Sequence, residues 1–118
     1  MVRYVVFTWV PESILDEWNE WHNGVHIPHV LTAPQIQAVR KYRIGPAEFP
    51  GDWQPQYATM YELESVEAFD AYRNGPGPAI RAEYDAKYGN VGRIARLVLG
   101  GEVDLGAGAR KIDRGDRS

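Results

Sequence analysis

The chain has 118 residues, enough for one domain that buries roughly 65% of the surface its unfolded form exposes. With 44% hydrophobic residues, 25% charged residues and a formal net charge of −3, it has the make-up of an ordinary globular protein and lacks the basic block that a nucleic-acid partner needs. Cysteine is absent, which excludes disulfides, thiolate metal sites and a cysteine nucleophile and fits a cytoplasmic setting.

Residues 2–10, VRYVVFTWV, are β-branched and aromatic and read as a strand that Pro11 closes. The run is too short for a signal-peptide core, and no window approaches the ~20 apolar residues of a membrane span. Ser13 stands as the N-cap of a helix, with Asp16 at the third position of a near capping box. Ile14, Leu15, Trp18, Trp21, His22 and Val25 then recur at helical spacing, giving an amphipathic helix of about three turns. Gly24 weakens it and Pro28 lacks an N–H, so it is expected to end or kink around residues 24–28, with a short further turn at 29–31.

A second strand is predicted over Ile36–Ile44, followed by a loop, GPAEFPGDWQPQ (45–56), that carries Trp53 as a plug or a ligand cover. Tyr57–Leu63 is the third strand. Ser65 caps a second helix with Val66, Phe69 and Tyr72, which stops at Asn74–Pro78. A third helical segment (79–88) carries Ile80, Tyr84 and Tyr88 on one side, and Val91–Leu99 is the last strand. Residues 1–103 thus form the domain. Residues 104–118, poor in large apolar side chains, are expected as a mobile or partner-docking tail.

The order β-α-β-β-α-(α)-β is the split βαβ, ferredoxin-like plan: an α+β fold whose four-stranded antiparallel sheet has helices on one face. The uncovered apolar face must be hidden, and a homodimer stacking sheet on sheet does this simply. A cleft then remains in each subunit between the sheet and the first helix. On strand one, Val5, Phe7 and Trp9 oppose Tyr4, Val6 and Thr8. On strand two, Arg40, Tyr42 and Ile44 oppose Val39, Lys41 and Arg43. Which of these faces meets the helices is open at the level of sequence.

All three histidines, His22, His26 and His29, fall within eight positions at spacing i, i+4, i+7. Such spacing aligns imidazoles on one helix face and suits zinc. There is, however, no glutamate beside the first histidine and no cysteine, and the third lies beyond Pro28, so no metal is assigned. His29 suits a helix end, where imidazole meets free carbonyls. His22 is open between pocket lining and the polar helix face. His26, between Val25 and Ile27, is partly desolvated and near neutrality, as a general base requires. Tyr42 and Tyr61 are the phenols that could donate to a substrate carbonyl, unless they are ordinary sheet aromatics. Arg40 or Arg43 could hold a carboxylate, or be a solvated strand cation.

Residues 16–44, DEWNEWHNGVHIPHVLTAPQIQAVRKYRI, resemble the signature of EthD-like proteins of the dimeric α+β barrel superfamily. The likeness lies in Trp21-His22, in His26-Ile27-Pro28, in Pro34, and in Arg40-Lys41-Tyr42-Arg43. The stretch YELESVEAFDAYRNGPGP (61–78) resembles the family's strand-helix unit. Relatives include cofactor-free lactone isomerases, polyketide cyclases, cofactor-independent quinone-forming monooxygenases and haem-dependent enzymes. The resemblance implies that His26 is the cleft histidine, whereas His22 stands where relatives often carry tyrosine and His29 where acidic residues are common.

The expected function is a cofactor-free enzyme that moves a proton next to a carbonyl of a small cyclic or aromatic metabolite, as an isomerase, lyase or cyclase. His26, His22, Tyr42 and Tyr61 are its catalytic candidates. Phe7, Trp9, Trp18, His29, Arg40 and Trp53 are its substrate-binding candidates. A cofactor-independent monooxygenase acting on a phenol and a non-catalytic small-molecule-binding protein are the alternatives. Neither nucleic acid nor membrane is expected as a partner.

Overall fold

The computed structural model describes residues 1–106. Strand β1 (Val2–Trp9) leads through a 3₁₀ turn at Glu12–Ile14 into helix α1 (Leu15–Trp21), a π-helical turn (His22–His26) and the short helix α2 (Ile27–Val30). Strands β2 (Ala38–Arg43) and β3 (Tyr57–Leu63) follow, then helices α3 (Val66–Asn74) and α4 (Gly77–Tyr88) and strand β4 (Arg93–Leu99). The sheet order is β2-β3-β1-β4, with every neighbouring pair antiparallel. This is the expected split βαβ, α+β architecture with the helices on one face.

Register settles which face the helices cover. Tyr4, Val6 and Thr8 stand opposite Tyr61, Thr59 and Tyr57 of β3, which in turn stand opposite Val39, Lys41 and Arg43 of β2. On the other side of β1, Val6 and Thr8 pair with Arg96 and Ile94. These residues share the helix face. Side chains alternate along a strand, so Val5, Phe7, Trp9, Arg40 and Tyr42 lie on the open face. Two apolar clusters hold the layers together. One joins Tyr4, Tyr61 and Leu63 to Tyr72 and Ile80, and the other joins Val10, Trp18 and Tyr57 to Tyr84 and Tyr88.

Ser65 caps α3 as its sequence position requires: its hydroxyl accepts from the Ala68 N–H at 3.1 Å, an arrangement that contributes about 1 kcal/mol. Ser13 does not cap α1. The chain leaves Pro11 in a 3₁₀ turn closed by Ile14 N–H to Pro11 O at 3.0 Å, so Ser13 is already inside a turn and makes no capping bond. The interruption expected around residues 24–28 is present as a widening: Ile27 N–H reaches back five residues to the His22 carbonyl, and α2 starts with Pro28 in its first turn. Widening moves the carbonyl that a proline ring would otherwise strike, so one π turn absorbs both Gly24 and Pro28.

The β2 ladder continues past its regular bounds through Gln37 N–H to Glu62 O (2.8 Å) and Ile44 N–H to Gln56 O (2.9 Å). The α3–α4 corner is tight enough that a Cβ on Gly77 would stand 2.9 Å from the Tyr72 carbonyl. No helix among the described residues is long and apolar enough to cross a membrane. Of the expected 104–118 tail, all but the first three residues lie outside the described residues.

Candidate active site

A cavity of about 290 Å³ lies between the helix face of the sheet and the helices. Tyr4, Val6, Thr8 and Tyr61 line its floor, while His22 and His26 enter from the π turn. A π turn carries 4.4 residues, so it sets these two imidazoles side by side rather than in strict α register. Their ring centroids are 5.6 Å apart with planes inclined by 24°. Each is backed by an indole: Trp18 stacks on His22 at 4.3 Å, and Trp21 on His26 at 5.2 Å.

The two histidines are wired in opposite senses. Lys41 Nζ donates to His22 Nδ1 at 3.1 Å, to Asn19 Oδ1 at 2.8 Å and to Asn23 Oδ1 at 2.6 Å, which uses its three N–H groups. An acceptor at Nδ1 places the His22 proton on Nε2, a tautomer assigned from the hydrogen-bond network. His26 Nδ1 instead lies 3.3 Å from Glu83 Oε1. A carboxylate only accepts, so Nδ1 carries the proton and Nε2 holds a lone pair. Neither Nε2 has a protein partner among the described residues. The cavity is thereby given one N–H donor and one basic nitrogen.

Burial drives the His22 pKa down to about 2, assisted by the charges of Lys41 and His26. His26 is also lowered, first by burial; the hydrogen bond and charge of Glu83 offset this only in part, and His29 and Arg96 add to it. Both rings are therefore neutral at pH 7. Burial lowers Lys41 to about 8, and its ammonium sits 4.7 Å from the Trp18 ring centroid and 4.6 Å from that of Tyr57. Burial acts to raise the Glu83 carboxyl, but the neighbouring His29 and His26 outweigh it and bring the group below its ordinary value. Burial raises Tyr61 and Tyr84, and lifts Tyr72 to about 12, so the phenols stay protonated donors.

These shifts set a pH dependence of stability. Below 6.5 the unfolded chain protonates His22 while the folded chain does not until about 2, so the contribution is fully present above 6.5 and is lost as pH falls through that window. The urea midpoint is expected to fall between about pH 7 and about pH 5, and to fall less in His22→Gln. Equal slopes in the two proteins would contradict the buried neutral ring.

His22, His26 and Tyr61 meet at the cavity. Trp18 stands behind His22 rather than in the lining, and its indole N–H donates to Tyr84 Oη at 3.0 Å. His29 turns to Glu83, its Nδ1 3.1 Å from the same carboxylate oxygen that His26 meets. The histidines thus do not converge on one point, and no group of three or more His, Cys, Asp or Glu among the described residues has metal-holding geometry.

The remaining sequence candidates are not brought to the cavity: strand alternation turns Phe7, Trp9, Arg40 and Tyr42 away, and Trp53 stays in the β2–β3 loop. Tyr42 is 49% exposed on the open face, and Arg40 there lies 3.6 Å from Glu62. Phe7 packs edge-on against Phe49 on the same side, with Trp9 also on that face. Trp53 lies under Arg93, whose guanidinium is 5.0 Å from its ring. Lys41, Glu83, Tyr84 and Arg96 were not singled out from sequence. The signal for Lys41 was its alternation with Val39, uninformative until the face was known, and a single glutamate on a helix such as Glu83 carries no signal of its own.

Over residues 1–99 the chain matches the family model described as Domain of unknown function (DUF4286). No curated protein matches the sequence. Solved structures share the fold. An EthD family protein from Bacillus halodurans is 16% identical over 87% of this chain and 100% of its own, with a TM-score of 0.65. The heme degrader MhuD from Mycobacterium tuberculosis is 24% identical over 90% of this chain and 100% of its own, with a TM-score of 0.56. SnoaB, a cofactor-independent oxygenase from Streptomyces nogalater, is 11% identical over 89% of this chain and 96% of its own, with a TM-score of 0.58. At such identities the likeness is one of fold, and it agrees with the EthD-like resemblance carried by His26-Ile27-Pro28. The chain belongs to the DUF4286 family and has a ferredoxin-like α+β fold.

Proposed function

We propose that this chain is a cofactor-free enzyme that transfers a proton next to the carbonyl of a small cyclic or aromatic metabolite, in an isomerase, lyase or cyclase reaction. The observation that carries the reading is the opposed wiring of His22 and His26. His26 Nε2 takes the proton from the carbon beside the carbonyl, and the C–H electron pair passes to the carbonyl oxygen. The Nε2–H of His22 and the hydroxyl of Tyr61 or Tyr84 donate to that oxygen as its charge develops. Returning the proton to a different carbon completes an isomerisation. Tyr84 takes the role that sequence offered to Tyr42, since its hydroxyl accepts from Trp18 and keeps its own hydrogen to donate. Val6, Val30, Phe69, Ile80 and Ile94 supply the apolar walls expected of a small-molecule pocket.

The fold neighbours support small-molecule chemistry in this architecture, since they include a heme degrader and a cofactor-independent oxygenase. Two copies stacked through the open faces would cover Phe7, Met60 and the exposed Leu97 and Leu99, which supports a homodimer.

The test is deuterium entry. The protein is incubated in D₂O without oxygen with a panel of butenolides, cyclic enones and hydroxyquinones, and exchange beside the carbonyl is followed by proton NMR. Exchange above the buffer rate in at least one class is expected. Turnover that appears only when oxygen is admitted would replace this reading with a monooxygenase acting on a phenol, and binding without exchange would replace it with a binding protein.

A further inference from the structure

We infer that the ligand of this cavity carries a carboxylate, and that Arg96 of β4, with Arg81 of α4, is its seat. The inference rests on the functional reading above for the use of the cavity and adds the class of molecule that enters it.

Arg96 stands on the helix face of β4, opposite Val6 in the register and two residues from Ile94, and both neighbours line the cavity with it. It is half-buried. A guanidinium withdrawn from water is costly unless something compensates its charge. Elsewhere on this chain that compensation is visible. Arg3 and Arg40 approach Glu62, Arg73 lies 3.2 Å from Asp70 and Arg93 lies 3.2 Å from Asp52. Arg43, Arg73 and Arg93 each lie over an aromatic ring. Arg96 and Arg81 have neither an ion pair nor an aromatic face among the described residues.

The lining holds three arginines, Arg73, Arg81 and Arg96, against one carboxylate, Asp85. Arg73 is already engaged by Asp70, and Asp85 pairs with neither of the others within 4.0 Å. Among the described residues, then, the half-buried Arg96 meets the cavity without a partner, and the exposed Arg81 stands at its rim, in a chain whose overall charge is −3. Low-dielectric walls strengthen such a local field and select anions. A planar carboxylate fits the guanidinium fork, and the adjoining Tyr72, Tyr84 and Phe69 accept the ring that bears it. Anchored at Arg96, the ring shares the cavity with the histidines.

The test compares 4-hydroxybenzoate with 4-hydroxybenzamide, a pair of equal shape that differs in charge, by calorimetric titration. The carboxylate is expected to bind roughly ten-fold or more tightly than the amide. Arg96→Gln should abolish that preference with the amide affinity unchanged, Arg96→Lys should retain part of it, and Arg93→Gln, outside the lining and paired with Asp52, should leave it intact. Equal affinities, no saturable binding of either probe, or a preference that survives Arg96→Gln would overturn the inference.

Binding is read without turnover, so the two readings fail separately. A carboxylate preference without any deuterium exchange removes only the proton-transfer reading. Exchange on neutral substrates without a carboxylate preference removes only this inference.

Discussion

Replacing His26 with glutamine is expected to slow deuterium exchange by about 10²–10⁴, the range that a positioned general base supplies. The substitution keeps an amide N–H that can still reach Glu83, and it is close in volume, so packing against Trp21 and Tyr84 is largely retained. What it removes is the basic Nε2. A single-turnover rate that falls while probe affinity holds would identify the loss as chemical rather than structural. An unchanged exchange rate would remove His26 from the mechanism.

The pH profile gives the same residue a second reading. A base works when unprotonated, and burial holds the His26 pKa below 6.5, so the acid limb of the rate should fall at a pH lower than that of an ordinary imidazole. Removing Glu83 deprives the ring of the influences that raise its pKa, so Glu83→Gln should move that limb to still lower pH. It should also slow exchange, because a neutral amide, which can donate as well as accept, holds the proton on Nδ1 less firmly than a carboxylate does. His29→Gln, behind Glu83 and outside the cavity lining, should change the rate little.

Trp18→Ala should cost about 3–5 kcal/mol of folding stability, the usual range for deleting a buried large aromatic. Trp18 is 1% exposed and joins three functions in one side chain. It packs between His22 and Tyr57, it lies beneath the Lys41 ammonium, and its N–H satisfies Tyr84. Alanine leaves a cavity, and the stacking support of His22 goes with it. Trp18→Phe restores most of the volume but not the N–H, so its cost should be smaller, about 1–2 kcal/mol. Urea midpoints with unchanged slope would measure both. A loss below about 1 kcal/mol for the alanine variant would show that the second apolar cluster closes over the gap.

Much of the fold was legible because its signals are local. The alternation in VRYVVFTWV, the Ser65 cap and the Asn74–Pro78 stop each act within a few residues, and each element they announce is present. Ser13 misled for the complementary reason: a short polar residue after a proline is as good a turn residue as a cap. Pro28 marked the interruption but not its form, since a proline's clash is relieved when the turn before it widens. The π turn at His22–His26 leaves no pattern in hydrophobic spacing, yet it decides how the two imidazoles stand.

By itself, the sequence determined the order of the elements and hence the α+β sheet, and it marked the His26-Ile27-Pro28 segment as the place to look. Only the tertiary structure decided which sheet face the helices cover. Strand β2 carries a cation and an aromatic residue on one face, Arg40 and Tyr42, and two cations on the other, Lys41 and Arg43, so a period of two fits either orientation. Pairing with β3 broke that tie, sending Tyr42 to the open face and Lys41 under the π turn. The partners that set the two histidine tautomers lie 19 and 57 residues away in the chain, at Lys41 and Glu83. A proton's position on an imidazole depends on what that ring touches, and contacts at such separations exist only once the sheet and helices have packed.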